Sequence, residues 1–475
     1  MLRYSPLLFW TLVALTGLRL LAGGLWELSP AEALHWQNSL SPAWAYFEGS
    51  PAFAGLLWLS RQLFGEAEWA LRLPGPLLLF ASSLWLFDLG RKLADELAAA
   101  LAVALLNLVP LANGHALLAT PTLLCTSALF AFLKCSWDAL QQSRPWNPAW
   151  PLAGLSLGLA TLTHSECLWL LPLLLGLLAA DRRWRYHFRQ PGLALLIGLV
   201  LLLWLPQALA QAAFPQAPRD PPAWGRWLSL QVMAWTPWIL LGILFALGQT
   251  LLSGRLSLPA RFLLAFLLPL LAISLLRPSF SSLSALSLGS LWAASAWNRW
   301  QAQPVWKDWL RRAVFAWALL SSLGPLLSDF LRQEGLAWPH ERDPTQGLKG
   351  WRALAGDPRL AAPDHFLIAE TPGLAAVLTY YRLRENGQAS SPVQLRQSPL
   401  PRGQASFLPR YDAKTGGERP GSQALYLSLE SEIPASLRYQ FASVRPLGEL
   451  RITRAEQALR TVKIFSCQDF QPSPL

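Results

Sequence analysis

The stretch from Ser29 to Pro51, SPAEALHWQNSLSPAWAYFEGSP, sets two carboxylates, Glu32 and Glu48, and one imidazole, His35, among Trp, Tyr and Phe side chains. Apolar runs flank it on both sides, from about Leu7 to Leu25 and from about Glu68 to Leu89. A carboxylate held where water meets lipid can act as a general base toward an acceptor group. Cationic groups beside it can stabilise a departing phosphate. Together they suit transfer of a sugar from a lipid-linked donor to an acceptor at the membrane surface. Each residue also has a plainer role. Glu32 near a helix start is favoured electrostatically there, Glu48 could be a solvated loop charge, and His35 suits packing at an interface.

Further along, His164 and Glu166 interrupt an apolar run at Thr163-His164-Ser165-Glu166. Ionisable groups inside membrane segments usually serve function, here contact with phosphate or substrate, although at a turn they simply reach water. Arg72 could bind phosphate through its planar fork or snorkel from the end of a span. His115, with Asn113, reads as a loop residue.

These groups need a scaffold, and composition says which kind. Of 475 residues, 53% are hydrophobic and only 14% charged, where soluble domains carry roughly a quarter charged. The chain therefore reads as an integral membrane protein, and its 25 Trp suit membrane interfaces. The net charge of +11 does not indicate nucleic acid, because the basic residues fall between apolar runs. The four Cys form no CxxC pair or zinc-spaced cluster, which argues against a disulfide framework or structural metal. The N-terminal run is too long for a signal peptide and reads as a retained first span.

Runs approaching the roughly 20 residues needed to cross a bilayer occur at about 6–25, 68–89, 97–112, 116–136, 151–163, 166–180, 191–207, 231–252, 262–276, 282–297 and 313–330. The short pair 151–163 and 166–180 is predicted to form a hairpin, which returns Arg182, Arg183, Arg185 and Arg189 to the inside. About 11 passes, with Arg3 inside, also put Arg91, Lys92, Lys134, Arg144, Arg255, Arg261, Arg299, Lys307, Arg311 and Arg312 inside. The external segments are then 26–67, the turn at Asn113 to His115, 163–166, 208–230 and 277–281. From about Leu331 charge, Gly and Pro become frequent. A small external α/β domain is expected over 335–475, with strands at 365–369, 424–428 and 461–465, a helix at 372–384 and a long loop at 387–422.

The series AEALHWQ, AWAYFEGSPAFAGLL and FGEAEWALRLPGPL resembles the start of bacterial GT-C glycosyltransferases of the dolichyl-phosphate-mannose protein mannosyltransferase type. That group includes the aminoarabinose transferase that modifies lipid A. The similarity continues at Leu118-Ala119-Thr120-Pro121, at Leu162–Glu166, at Gly350-Trp351 and at Arg410-Tyr411-Asp412. It implies an α-helical polytopic GT-C membrane domain over 1–334, with the first external loop at 26–67, and an external α/β domain over 335–475. By the same resemblance, Glu32 stands in for the family's leading Asp as catalytic base, because Ala31 occupies that position. Tyr46, Glu48, Arg72, Thr122, His164 and Glu166 fall at donor- or substrate-binding positions, and Glu48 is the one residue that could hold a divalent metal. Gly49, Ser50, Thr122 and His164 replace the family's usual residues.

The activity implied is inverting sugar transfer from a polyprenyl-phosphate-linked donor to a glycolipid, glycan or protein acceptor at the periplasmic face of a bacterial inner membrane. The alternative is an inactive relative that binds polyprenyl lipid or glycan as partner of another envelope enzyme. A secondary transporter is disfavoured, because the 151–180 break has no second copy.

Overall fold

The computed structural model describes residues 6–46, 49–142, 144, 146–212, 237–253, 257–277, 281–299, 309, 312–313, 316, 345–360, 365–386, 393–395, 423–429, 437–438, 441–454 and 457–470. In chain order the helices are α1 (Pro6–Ala22), α2 (Pro30–Leu40), α3 (Pro51–Phe64), α4 (Glu68–Arg72), α5 (Pro74–Leu93), α6 (Glu96–Leu108), α7 (Pro110–Leu117), α8 (Thr122–Leu140), α9 (Ala149–Thr163), α10 (Leu170–Ala180), α11 (Pro191–Ala212), α12 (Pro237–Ser253), α13 (Leu258–Leu276), α14 (Leu283–Arg299), α15 (Trp351–Ala355) and α16 (Pro372–Asn386). The strands are β1 (His365–Ala369), β2 (Gln394–Leu395), β3 (Gln423–Ser428), β4 (Phe441–Arg454) and β5 (Gln457–Phe470).

Two compact units emerge. The first comprises Met1–Gly23, Trp44–Gly65 and Trp69–Leu326, and the second Gly24–Ala43, Glu66–Glu68 and Leu327–Leu475. The first half of the loop expected to belong with the membrane domain thus joins the C-terminal segment.

Among the described residues, four helices are long and apolar enough to cross a membrane: the stretch Glu68–Leu93, then α8, α11 and α13. Shorter apolar helices include α1, α9 and Ser165–Ala180. The run expected as one span at 97–112 is instead α6 and α7, bent by 60°. Pro110 explains the break, since its ring removes an N–H and bars the preceding residue from helical geometry. Val109 accordingly is extended, with φ −72° and ψ 131°. The expected span 313–330 lies almost wholly outside the described residues, as do the basic positions Arg255, Lys307 and Arg311.

Local sequence explains the helix starts. Asp95 caps α6 by accepting the Ala98 N–H at 2.8 Å, and Ser257 caps α13 through the Ala260 N–H. The first unit's core is built on α5, α8, α9, α11, α13 and α14. Edge-to-face aromatic pairs join α8 to α13: Phe132 with Phe266, and Trp137 with Phe262. At Gly75 an added Cβ would come within 2.5 Å of the Ala116 carbonyl oxygen, so glycine is what lets α5 approach the end of α7. At the other end of the helices Asp88 and Asp138 bind Lys92 at 2.9 and 2.6 Å. Lys134 meets Asp138 at 3.0 Å, and Arg91 meets Asp88 at 2.7 Å. This network ties α5 to α8.

The second unit holds a five-stranded sheet in the order β2-β1-β3-β5-β4. β1 runs parallel to β2 and to β3, with His365 opposite Gln423. β5 is antiparallel to both β3 and β4, with Tyr426 opposite Phe465. The connection from β1 through α16 to β2 is the helical crossover that a parallel pair requires. Strands and helix expected at 365–369, 424–428, 461–465 and 372–384 are all present. β2 falls inside the stretch expected as a long loop, most of which lies outside the described residues. Phe366, Tyr426, Phe441, Phe465 and Phe470 fill the sheet's core.

Candidate functional site

In the first unit, several separate segments of sequence converge. Ser50 caps α3 by accepting the Phe53 N–H at 3.2 Å, while its own hydroxyl donates to the Leu162 carbonyl at 3.1 Å. That bond sets the start of α3 against the last turn of α9, next to His164. Tyr46 is buried, and its backbone is clasped from both sides by the Gln207 amide of α11. The Tyr46 N–H donates to Gln207 Oε1 at 3.0 Å, and Gln207 Nε2 donates to the Tyr46 carbonyl at 2.9 Å. Glu48 itself lies outside the described residues, but the chain on either side of it is anchored to α11 and α9.

α8 arrives at the same place. Phe53 and Leu57 of α3 pack on Ala119 and Leu124. Cys125 Sγ lies 3.6 Å from Cys167 Sγ, which sets the first turns of α8 beside the short 3-10 helix Ser165–Trp169. Thr122, buried at the start of α8, and His164, at the break after α9, each lie one turn before this pair. His115 of α7 shares a 3.0 Å hydrogen bond with the Thr120 hydroxyl through Nδ1, and it stands close enough to His164 for the two imidazoles to interact electrostatically. The N-terminus of α8 carries no side-chain cap. Its first N–H groups therefore take no side-chain partner at the cap, and a helix start of that kind favours an anion.

Of the residues singled out from sequence, Thr122 lies at the start of α8 and His164 at the break after α9, elements that the Cys125–Cys167 contact sets side by side. Glu166 follows His164 within the 3-10 helix. Arg72 does not snorkel. It is 1% exposed, and its Nη1 donates to the Gly23 carbonyl at 2.9 Å, at the end of α1. One turn earlier Arg19 is likewise buried. It donates to Asn113 Oδ1 at 2.8 and 2.9 Å and to Asn107 Oδ1 at 3.0 Å. Sequence reasoning missed Arg19 and Asn107 as members of a polar cluster, and His115, expected in a loop, lies on α7 instead. An arginine within the first apolar run was the available signal, since such a charge must find partners inside the protein.

Glu32 belongs to the second unit and occupies the third position of a capping box. The Ser29 N–H donates to Glu32 Oε2 at 2.9 Å, and the Glu32 N–H donates to Ser29 Oγ at 3.2 Å. The sequence Ser-Pro-Ala-Glu is the local signature of that arrangement. Burial lowers the pKa of His35, one turn on, to about 4 against the opposing pull of Glu32. The neighbouring acids are taken up by the C-terminal segment. Glu27 Oε2 accepts from the Trp351 and Arg352 N–H groups at 2.5 and 3.2 Å. Glu66 accepts from Trp36 Nε1 at 2.7 Å, and its carbonyl accepts from the Tyr380 hydroxyl at 2.6 Å.

No group of three or more His, Cys, Asp or Glu side chains able to hold a metal occurs among the described residues.

Residues 48–209 match the family model described as dolichyl-phosphate-mannose-protein mannosyltransferase. ArnT from Cupriavidus metallidurans, solved bound to undecaprenyl phosphate, aligns over 96% of this chain and 97% of its own, with a TM-score of 0.59 and 15% identity. The chain has the GT-C fold. Arabinofuranosyltransferase AftD from Mycobacteria shares this GT-C architecture, with a TM-score of 0.51 and 17% identity; it aligns over 96% of this chain and 40% of its own length. No curated protein sequence matches significantly. The family match runs from Glu48 to Leu209, and so spans Arg72, Thr122, His164 and Glu166.

Proposed function

We propose that this GT-C chain transfers a sugar from a polyprenyl-phosphate-linked donor to an acceptor at the periplasmic face of a bacterial inner membrane, with inversion at the anomeric carbon. The observation that carries the reading is the uncapped start of α8, which follows the His115–Thr120 pair and whose first turn packs on the 3-10 helix after His164. The family match over this region and the likeness to an ArnT structure holding undecaprenyl phosphate support it.

In this reading the donor phosphate sits against the first N–H groups of α8. An acceptor oxygen attacks the anomeric carbon from the opposite face, forming the new glycosidic bond as the bond to the phosphate oxygen breaks. Negative charge then grows on the departing polyprenyl phosphate, where hydroxyl, imidazole and helix N–H groups stabilise it. Glu48 orients the donor sugar, and Tyr46, Glu166 and Arg72 support the walls of the site. Glu32 is the base for a hydroxyl acceptor, being the carboxylate left in the first motif. One of its oxygens is already engaged by Ser29, so an acceptor that is ionised beforehand, such as a phosphate, fits this chain better.

The second reading, a relative that binds polyprenyl lipid or glycan without turnover and serves a partner enzyme, draws on that same capping role of Glu32. Purified protein given labelled polyprenyl-phosphate sugars decides between the two. Release of polyprenyl phosphate, lost on Glu48→Gln and reduced at least about tenfold on His164→Ala, is the expected outcome. Donor binding with no release from any sugar tested would leave the binding reading in its place.

A further inference from the structure

In the second unit the Glu68 carboxylate holds two guanidinium groups. Its Oε1 accepts from Arg352 Nη2 at 2.6 Å, and its Oε2 accepts from Arg384 Nη1. Arg384 Nη1 also lies 3.3 Å from the Tyr380 hydroxyl, and the Arg352 guanidinium stands 5.5 Å from the centre of the Tyr381 ring. One carboxylate thus fixes two guanidinium groups, while the Glu27 carboxylate holds the Arg352 backbone N–H.

The arginines are only partly spent. Their side chains are 52% and 41% exposed, and each uses a single nitrogen on Glu68. Among the described residues, the Nε and the remaining Nη of both have no hydrogen-bond partner. Two planar forks held on one carboxylate therefore keep unused N–H donors on partly exposed side chains. Holding them in place in advance removes much of the ordering cost that two long side chains otherwise impose on a ligand. Tyr380 and Tyr381 do not compete for that ligand. The Tyr380 hydroxyl donates to the Glu66 carbonyl, and the Tyr381 hydroxyl accepts from the Leu28 N–H at 2.7 Å.

We infer that Arg352 and Arg384 form a binding site for a phosphate monoester. A tetrahedral dianion has oxygens enough to take both forks at once. The phosphate comes either from a soluble phosphorylated glycan or from a lipid head group, and the same chemistry serves both. This site goes beyond the transferase reading and does not depend on it, since binding is measured without turnover.

The test uses the full chain in detergent and follows thermal unfolding. Inorganic phosphate is titrated against chloride at matched ionic strength, and a short-chain phosphatidic acid against the phosphatidylcholine of the same chain length. Saturable stabilisation by phosphate or phosphatidic acid, but not by chloride or phosphatidylcholine, is expected. Arg352→Gln and Arg384→Gln should each weaken it about tenfold. Either variant leaves Glu68 paired with the other arginine, so unfolding without ligand should scarcely change. Lysine at either position should restore part of the effect. Tighter binding of phosphatidic acid than of phosphate assigns the site to a lipid head group, and equal binding to any phosphate monoester. Absence of saturation, or saturation unchanged in both glutamine variants, overturns the proposal and leaves the cluster as an ion pair of the fold.

Discussion

At Glu32 a helix-capping role and a catalytic role can be separated by one substitution. Glutamine serves the third position of a capping box as well as glutamate does, so Glu32→Gln should leave thermal stability within about 0.5 kcal/mol while removing any base. Ser29→Ala, by contrast, should cost about 1 kcal/mol through loss of the cap. Turnover that survives Glu32→Gln would show an acceptor that needs no base from this residue. His35 gives a pH prediction. Its folded-state pKa of about 4 lies below the ordinary value of 6.5, so the unfolded chain takes up a proton first as pH falls. Stability is therefore full above pH 6.5 and is lost progressively between 6.5 and 4, by about 3 kcal/mol at most. Melting at pH 7.5 and pH 5 should show a larger loss for the parent than for His35→Gln. The capping box was legible because Ser29 and Glu32 are three residues apart. The partners of Glu27, Glu66 and Glu68 were not, because they lie some 300 residues away and no local pattern marks them.

Between elements, the ion cluster joining α5 and α8 is a second point of strain if broken. Asp88 is almost fully buried beneath Arg91, Lys92 and Lys134. Asp88→Asn should destabilise the protein by about 1 kcal/mol, because it leaves three partly exposed cations with Asp138 as their remaining counter-charge; a melt indistinguishable from the parent would show that Asp138 carries the cluster alone. Most helices could be placed from apolar runs, and their ends from Pro, Ser and Asp at the caps. The break at Val109-Pro110 could have been read from proline alone, but a span of unbroken hydropathy obscured it. The meeting of α3 and α8 with the break after α9 could not be read at all, since it rests on the Ser50 hydroxyl reaching the Leu162 carbonyl and on two cysteines packing at 3.6 Å.

For the molecule as a whole, charge asymmetry and fold make linked claims. Reporter fusions at Arg185 and at Gly350 should report opposite compartments, the first inside and the second outside; a shared compartment would remove the hairpin reading of α9 and α10. Composition alone was enough to declare a membrane protein, and motif order enough to name the GT-C fold. The joining of Gly24–Ala43 with the C-terminal segment was invisible, because α2 and α16, which meet through the Trp36 and Tyr380 rings, lie far apart in sequence and no local pattern pairs them. The central claim is that donor phosphate binds at the start of α8. Photocrosslinking with a diazirine-bearing polyprenyl phosphate tests it most directly, whether or not the chain turns over. The account predicts adducts on peptides containing Thr120–Leu124 and His164–Cys167, competed away by unlabelled polyprenyl phosphate. Specific, competable adducts confined to other segments would contradict it.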